Sequence, residues 1–408
     1  MIRPHTATTT APPLAPLHSA PAAARAAFRL LERLQHGTLD LQLPDGSQLH
    51  FGHAAPGAPR GAMRLENWKV FAAALKSGDI GFAETWIAGD WHTPDLATLL
   101  RLFVRNREAI EDAVYGRWWG RLLYRLKHGL NANTRRGSRR NIHAHYDLGN
   151  AFYRLWLDET MSYSAACFDG EPDGDLAQAQ RAKLRRTLDQ CGIAPGQRLL
   201  EIGCGWGGLA EVAAVERRAR VTGVTLSSEQ LAWAQRRLLA RGADLRLQDY
   251  RDIADGPFDA IVSIEMFEAV GRAYWEGFFS LLQRRLAPGA RACIQTITIR
   301  DDLFDRYVRS TDFIQQYIFP GGLLPSAGAF RAEAQRAGLR IEREQSFGAD
   351  YAETLRRWRL RFLEQERAVR DLGFDTRFVR IWDFYLAYCQ AAFAAGNTDV
   401  VQFTLRRP

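Results

Sequence analysis

Cysteine is scarce in this chain: five residues in 408, Cys167, Cys191, Cys204, Cys293 and Cys389, odd in number, scattered and nowhere spaced C-x-x-C. That pattern argues against a disulfide framework and against a zinc site. Long apolar runs are absent as well. No stretch approaches the roughly 18 to 20 residues that cross a bilayer, and the N-terminal segment lacks the compact apolar core of a secretory signal, so a cytoplasmic location is expected. Residues 1–27 contain no aromatic side chain and no periodicity, being rich in Ala, Pro and Thr instead, and read as a disordered leader. Acidic residues are missing between Asp112 and Asp147, where Arg117, Arg121, Arg125, Lys127, Arg135, Arg136, Arg139 and Arg140 gather beside Trp118, Trp119, Leu122, Leu123, Tyr124 and Leu126. Arg117, Arg121 and Arg125 share one helical face, with bulky apolar residues between them. Such a face suits an anionic membrane surface; it suits equally a solvated basic face that covers another helix. Nucleic acid is not expected, since no RNA-binding or helix-turn-helix signature accompanies the charge.

What is present is ample for a core. With 47% apolar residues and a net charge of +8, the chain is globular, and its length points to two domains. A helical stretch at 22–35 is followed by alternation on both sides of Asp45 and Gly46, over 37–51, which signals a hairpin and opens a small α+β domain. Helical pattern then runs from Trp68 to Leu126, broken at Gly78 and around 89–94, and the polar, glycine-containing run 131–140 marks a boundary. From about Asn141 short strands alternate with longer helical stretches, the pattern of a doubly wound parallel sheet. Strands are predicted at 198–202, 220–226, 244–247, 258–264 and 290–299. A stretch at 339–345, a helix around 379–394 and a strand at 400–405 close the chain, a layout that allows an antiparallel pair at the sheet edge.

The richest segment is RLLEIGCGWGG at 198–208, which joins an apolar strand to a glycine turn at the mouth of a helix. Gly203, Gly205 and Gly208 fit G-x-G-x-x-G, where glycines permit a tight turn and close approach of backbone to a ligand. The turn also fits simple packing of strand on helix. Two neighbours separate S-adenosylmethionine (SAM) from a dinucleotide. Glu201 can orient amides around the loop or meet the ammonium of a methionine moiety, and the strand at 220–226 ends without the acid that would hold a nicotinamide ribose.

In an open parallel sheet the ligand crevice lies beyond the carboxyl ends of the strands, so the residues that follow each strand are the ones to weigh. Cys204, Trp206 and Gly207 complete the first turn. Thr225, Leu226, Ser227 and Gln230 follow the second strand and can bond ribose hydroxyls. After the third, Asp249 suits an adenine amino group and Tyr250 can stack on the base. After the fourth come Glu265 and Glu268, three apart on one face of a turn; one of them can reach a reaction centre, and either can be a solvent-facing helix acid.

At HYDLGN (145–150), Tyr163 with Ser164, LEIGCGWGG (200–208), GVTLS (223–227), MFE (266–268), FGADY (347–351) and YLAYC (385–389) the sequence resembles the cyclopropane-fatty-acyl-phospholipid synthase family, which includes mycolic acid methyltransferases. The resemblance runs closely from Asn141 to the C-terminus, and residues 78–91 look like the N-terminal helical domain of longer bacterial members. It implies an α/β fold: a Rossmann-like class I SAM-dependent methyltransferase domain with a seven-stranded, mostly parallel sheet, preceded by a smaller, mainly helical α+β domain. The expected divisions are a leader at 1–27, a lipid- or membrane-associated domain at 28–130, a basic linker at 131–140 and a catalytic domain at 141–408. Tyr163, Ser164, Glu201, Gly203, Cys204, Gly205, Trp206, Gly207, Thr225, Leu226, Ser227, Gln230, Asp249, Tyr250 and Glu265 are the expected cofactor residues.

The implied reaction is methyl transfer from SAM to the cis double bond of an acyl chain of a membrane phospholipid, by an enzyme peripheral to the inner face of the membrane. An alkene is a poor nucleophile. Catalysis must come from alignment of the methyl with the π bond and from stabilisation of the resulting carbocation in a dry pocket. Aromatic faces suit a cation, and Tyr163, Phe267, Tyr317, Phe319 and Tyr351 are candidates, each equally eligible as core. The family resemblance assigns the base to a bicarbonate ion, with Ala165, Glu268, Gln295, Ile297 and Tyr351 at the ligand positions; synthases usually place Cys and His where this chain has Ala165 and Gln295. Loss of a different proton would then give a methyl- or methylene-branched chain rather than a ring. Cys389 matches a cysteine proposed as a nucleophile, although alkene methylation needs no covalent enzyme intermediate and a Cys among aromatic residues is commonly core. A homodimer is left open. So are two other readings, a SAM methyltransferase for another lipid or small molecule and a catalytically silent membrane-binding paralogue.

Overall fold

The computed structural model describes residues 20–110 and 148–408. The basic aromatic segment 117–140, the linker at 131–140, most of the expected leader and residues 141–147 of the HYDLGN region lie outside the described residues. Helix α1 (Ala22–Leu31) begins inside the stretch expected to be leader up to Ala27, because Ala24, Ala27, Phe28 and Leu31 fall on one face and are buried. The hairpin forms where alternation placed it: β1 (Gly37–Gln42) and β2 (Gln48–His53) are antiparallel, with Gly46 at φ +87° and Ser47 N–H bonded to Asp45 Oδ1 at 2.9 Å.

A third strand, β3 (Arg60–Leu65), pairs in parallel with β1, and was not anticipated. Its six residues follow a Pro- and Gly-containing loop, and it is the alternating burial of Gly61, Met63 and Leu65 that fixes it. Helix α2 (Lys69–Ala88) carries the expected break at Gly78, whose φ of +62° is non-helical, and stops at left-handed Gly89. Strand β4 (Trp91–His92) completes a sheet of order β2-β1-β3-β4. Helix α3 (Leu96–Arg105) is capped by Asp95, which accepts from Thr98 N–H.

After α4 (Asn150–Arg154) and α5 (Leu176–Cys191) the βα alternation follows: β5 (Arg198–Ile202), α6 (Gly208–Val215), β6 (Arg220–Thr225), α7 (Ser228–Leu238), β7 (Asp244–Leu247), β8 (Phe258–Ile264), α8 (Trp275–Arg285) and β9 (Leu286–Ile299). Then come α9 (Asp301–Val308), α10 (Phe313–Tyr317), α11 (Ala327–Arg336), β10 (Arg340–Ser346), α12 (Gly348–Glu364), α13 (Glu366–Asp371), α14 (Thr376–Ala394) and β11 (Thr398–Arg406). The second sheet has the order β10-β11-β9-β8-β5-β6-β7. Strands β5 to β9 are parallel, and β11 runs antiparallel between β9 and β10. This is the seven-stranded, mostly parallel, Rossmann-like sheet with the expected edge pair. Strand order reverses between β5 and β8, so the turns that follow these two strands open on either side of one crevice.

The two sheets do not have separate cores. One cluster of buried residues joins Phe28, Trp91 and Leu99 to Phe152, Trp358 and Phe384. Trp86 Nε1–H donates to Arg380 O of α14 at 3.2 Å, and Arg380 returns a bond to Trp86 O at 2.6 Å. At the centre of the cluster Phe152, fully buried, has its ring within 5.0–6.2 Å of the Trp156, Phe362, Phe374, Phe378 and Trp382 rings. It ties α4 to α12 and α14. Phe152→Ala is expected to cost about 3–5 kcal/mol, read as a fall in the urea midpoint of unfolding; a loss under about 1 kcal/mol would show that this ring does not hold the helices together.

Candidate active site

Strand β5 delivers the glycine turn. Gly203 and Cys204 N–H both donate to Val224 O, at 2.9 and 3.0 Å, which ties the turn to β6. Gly203 and Gly205 have φ of +84° and +52°, and a Cβ on Gly205 would meet nothing within 4 Å, so the turn presents bare backbone to open space. Gly207 serves packing instead: it caps α6 at φ +83°, and a Cβ there would lie 3.0 Å from Ala234 Cβ on α7. Asn150 Oδ1 accepts from Trp206 Nε1–H at 2.6 Å, which fixes the ring beside the turn.

A cavity of about 340 Å³ runs from this turn to an apolar end lined by Phe319, Leu323, Leu324, Cys389 and Phe393. Tyr163, Ser164, Glu201, Gly203, Cys204, Gly205, Trp206, Thr225, Leu226, Gln230, Asp249, Tyr250, Glu265, Glu268, Ile297 and Tyr351 line it. Ala165, Gly207, Ser227 and Gln295, also singled out in the sequence, lie behind its wall. Ser227 is spent on a cap, its Oγ accepting from Gln230 N–H at the start of α7. Asp249 is held by Arg251, through Nε at 2.9 Å and Nη2 at 2.6 Å. Among the aromatic candidates Phe267 is core, ringed by Trp275, Phe278, Phe279 and Phe330. Tyr317 donates to Glu84 of α2 at 2.7 Å. Tyr385, by contrast, lines the cavity with its hydroxyl 2.7 Å from that of Tyr163.

Charge is concentrated at the switch point. Glu201 is buried and its Oε2 has no hydrogen-bond partner; desolvation pushes its carboxyl up to about 8. Glu265 is held more fully. Its Oε1 accepts from Ala165 N–H and Gln295 Nε2, both at 2.8 Å, and its Oε2 from Tyr351 O–H at 2.7 Å. Glu268 Oε1 accepts from Ile297 N–H at 2.5 Å and Thr296 Oγ1 at 3.0 Å, while Oε2 is unpartnered; burial, then the charge of Glu265, pushes this carboxyl up to about 8. Lys183 of α5 was missed in the sequence. Its ammonium is buried, bonds Ser164 Oγ at 2.6 Å and is pushed down to about 8 by desolvation against the opposing pull of Glu265, Asp158 and Glu201. In the sequence, a lysine among the Arg and Gln residues of this helix gives no signal of burial.

The site fits SAM, whose cationic methionine end has an unpartnered buried carboxylate oxygen to meet at Glu201 and an open glycine turn beside it. It does not fit a bicarbonate. Of the five residues expected to hold that ion, Ala165, Gln295 and Tyr351 donate to Glu265 and Ile297 donates to Glu268, so the donors that would meet it are already taken by the chain's own acids.

With the donor turn on one side of the switch point and buried acids on the other, the chain is a Rossmann-like SAM-dependent methyltransferase. Residues 133–403 match the family described as mycolic acid cyclopropane synthetase, and the chain belongs to that family. It is 39% identical over 409 residues to the tuberculostearic acid methyltransferase UfaA1 of Mycobacterium tuberculosis, covering 97% of this chain and 93% of the relative. It is 34% identical over 358 residues to the cyclopropane-fatty-acyl-phospholipid synthase of Escherichia coli, covering 87% and 90%. The crystal structure of mycolic acid cyclopropane synthase CmaA1 complexed with SAH and CTAB superposes with a TM-score of 0.62 at 33% identity, over 66% of this chain and 98% of that one.

Burial of Glu201 has a measurable cost. A carboxyl whose folded value of about 8 exceeds its ordinary 4.5 holds its proton more tightly when folded, so its stabilising contribution is full below pH 4.5 and is lost as pH rises towards 8, by up to about 1.4 kcal/mol per pH unit. Glu201→Gln, which cannot ionise, is therefore expected to gain at least about 2 kcal/mol on the ligand-free wild type between pH 5 and pH 8 in urea unfolding. A difference that does not change with pH would contradict the burial of this acid.

Proposed function

We propose that this protein transfers the methyl group of SAM to the cis double bond of an unsaturated acyl chain of a membrane phospholipid, giving a cyclopropane or a methyl- or methylene-branched chain. The observation that carries this reading is the single cavity that joins the glycine turn, the Glu265–Glu268 pair and an apolar end. SAM supplies an electrophilic methyl group. The chain's own residues do the rest: Glu201 holds the methionine end, the turn admits the nucleoside, and Phe319, Leu323, Leu324 and Phe393 take the acyl chain and exclude water that would capture a carbocation. The faces of Tyr163, Tyr351 and Tyr385 stabilise positive charge on the chain without forming an adduct. Cys389 serves as wall, because burial pushes its thiol far above the usual range and leaves no thiolate to attack.

The names of the relatives support a lipid substrate, since one is a fatty-acyl-phospholipid synthase and another a tuberculostearic acid methyltransferase. Among the described residues no helix is long and apolar enough to cross a membrane. In this reading the enzyme is peripheral to the inner face of the membrane, with residues 28–130 and the basic run between Asp112 and Asp147 drawn to anionic headgroups.

Methyl-labelled SAM incubated with the protein and mono-unsaturated phospholipid vesicles is expected to label the acyl chains. Proton NMR then identifies the product, upfield ring protons marking a cyclopropane and vinylidene protons a methylene branch. Label confined to free fatty acid would overturn the phospholipid assignment, and no label in any unsaturated lipid would overturn the reading.

A further inference from the structure

We propose that the Glu265 carboxylate is the base that takes the proton from the methylated acyl cation, doing within the chain what a bound bicarbonate would otherwise do. This rests on the acyl-methylation reading above. Glu265 lines the cavity in contact with the same space as Glu268, and the donors that meet it are those expected to hold an anion: Ala165 N–H, the Gln295 amide and the Tyr351 hydroxyl. Burial raises the Glu265 carboxyl, and the bonds from Ala165, Tyr351 and Gln295, which favour the carboxylate form, oppose that rise. Lys183 adds positive charge nearby.

The direction of the Gln295 bond is set by a chain of donors. Arg186 Nε, which can only donate, bonds Gln402 Oε1 at 2.9 Å, so the Gln402 amide nitrogen must face Gln295 Oε1, 3.0 Å away. The Gln295 nitrogen is thereby turned onto Glu265. Backbone geometry points the same way. Glu265 is one of four non-glycine residues with positive φ among the described residues, at +48°, a conformation that disfavours an L-residue and that persists where the surroundings demand it. Glu268 is the poorer base: its Oε2 meets no donor, and burial, then the charge of Glu265, pushes its carboxyl up to about 8.

The step balances. The π pair of the alkene forms the new C–C bond, the S–CH3 bond breaks with its electrons going to sulfur, and the adjacent carbon becomes cationic. A C–H bond then gives its proton to Glu265, and its electron pair closes either a ring or a new double bond. The carboxylic acid so formed returns the proton to solvent when product leaves.

The test is label transfer from SAM to phospholipid vesicles in CO2-free buffer, with and without added bicarbonate. The wild type is expected to keep its rate within about twofold, and Glu265→Gln to lose about 100-fold or more, as expected for loss of a general base. Glu265→Gly, which suits the positive φ and opens the space, is expected to regain part of its rate with bicarbonate or formate, whereas Glu265→Gln, which fills the space, is not. Retained SAH affinity in either variant distinguishes lost chemistry from lost structure. A wild type that transfers methyl groups only with bicarbonate overturns the role of Glu265 and leaves acyl methylation intact; a Glu265→Gln rate within about threefold of wild type does the same. A wild type silent under both conditions overturns acyl methylation, and this proposal with it.

Discussion

Burial of charge at the point where the sheet reverses its order governs the architecture around it. Glu201, Glu265, Glu268 and Lys183 are all withdrawn from water there, and desolvation of ionised groups is tolerated only where donors or opposite charges meet them. The polar side chains that meet them come from helix α12, which supplies Tyr351, and from the sheet. Gln295 and Thr296 on β9 and Gln402 on β11 are buried, and each spends its hydrogen bonds on this network. What remains unsatisfied is Glu201 Oε2 and Glu268 Oε2, on two residues that line the cavity.

The other end of the cavity depends on the N-terminal region. Asp79, just after the break at Gly78 in α2, accepts from Tyr388 O–H at 2.7 Å and from Phe313 N–H at 3.1 Å. It therefore pins α14 and α10, the elements that carry Tyr388 and precede Phe319. Desolvation raises Asp79 and, with the charge of Asp79, takes Asp312 to about 7, so each of these buried acids disfavours ionisation of the other. The cavity wall itself comes from residues between Met161 and Thr398, and the common core lets the small α+β unit brace the helices that form it.

Much of this was legible in the sequence, and the exceptions share a cause. The βα alternation, the hairpin at Gly46, the break at Gly78 and the glycine turn are local signals, and they hold. Glu201 and Glu268 were readable because they follow or end strands at the carboxyl edge. Strand β3 was not, since its six residues are fixed by pairing with β1 and β4 and by burial against the core, which no local motif announces. Lys183 was hidden because burial of a helix face is decided by what packs on it. Phe267, equally eligible from the sequence as cavity aromatic or as core, is core because Trp275, Phe278, Phe279 and Phe330 surround it, whereas the Ser227 hydroxyl is directed locally, by the cap bond it accepts from Gln230 N–H of its own helix. Glu265 is the instructive case, for its spacing from Glu268 revealed a pair of acids but not the three donors that converge on it from distant segments.

Titration of SAH into the folded protein by calorimetry tests the central claim most directly, namely that the crevice beyond β5 is a site for a cationic sulfur donor and its demethylated product. The expected result is one SAH bound per chain, with a proton released to buffer near pH 7 as the ammonium of the ligand draws Glu201, held protonated at about 8 in the free protein, into its ionised form. Absence of binding by a folded sample would contradict the account.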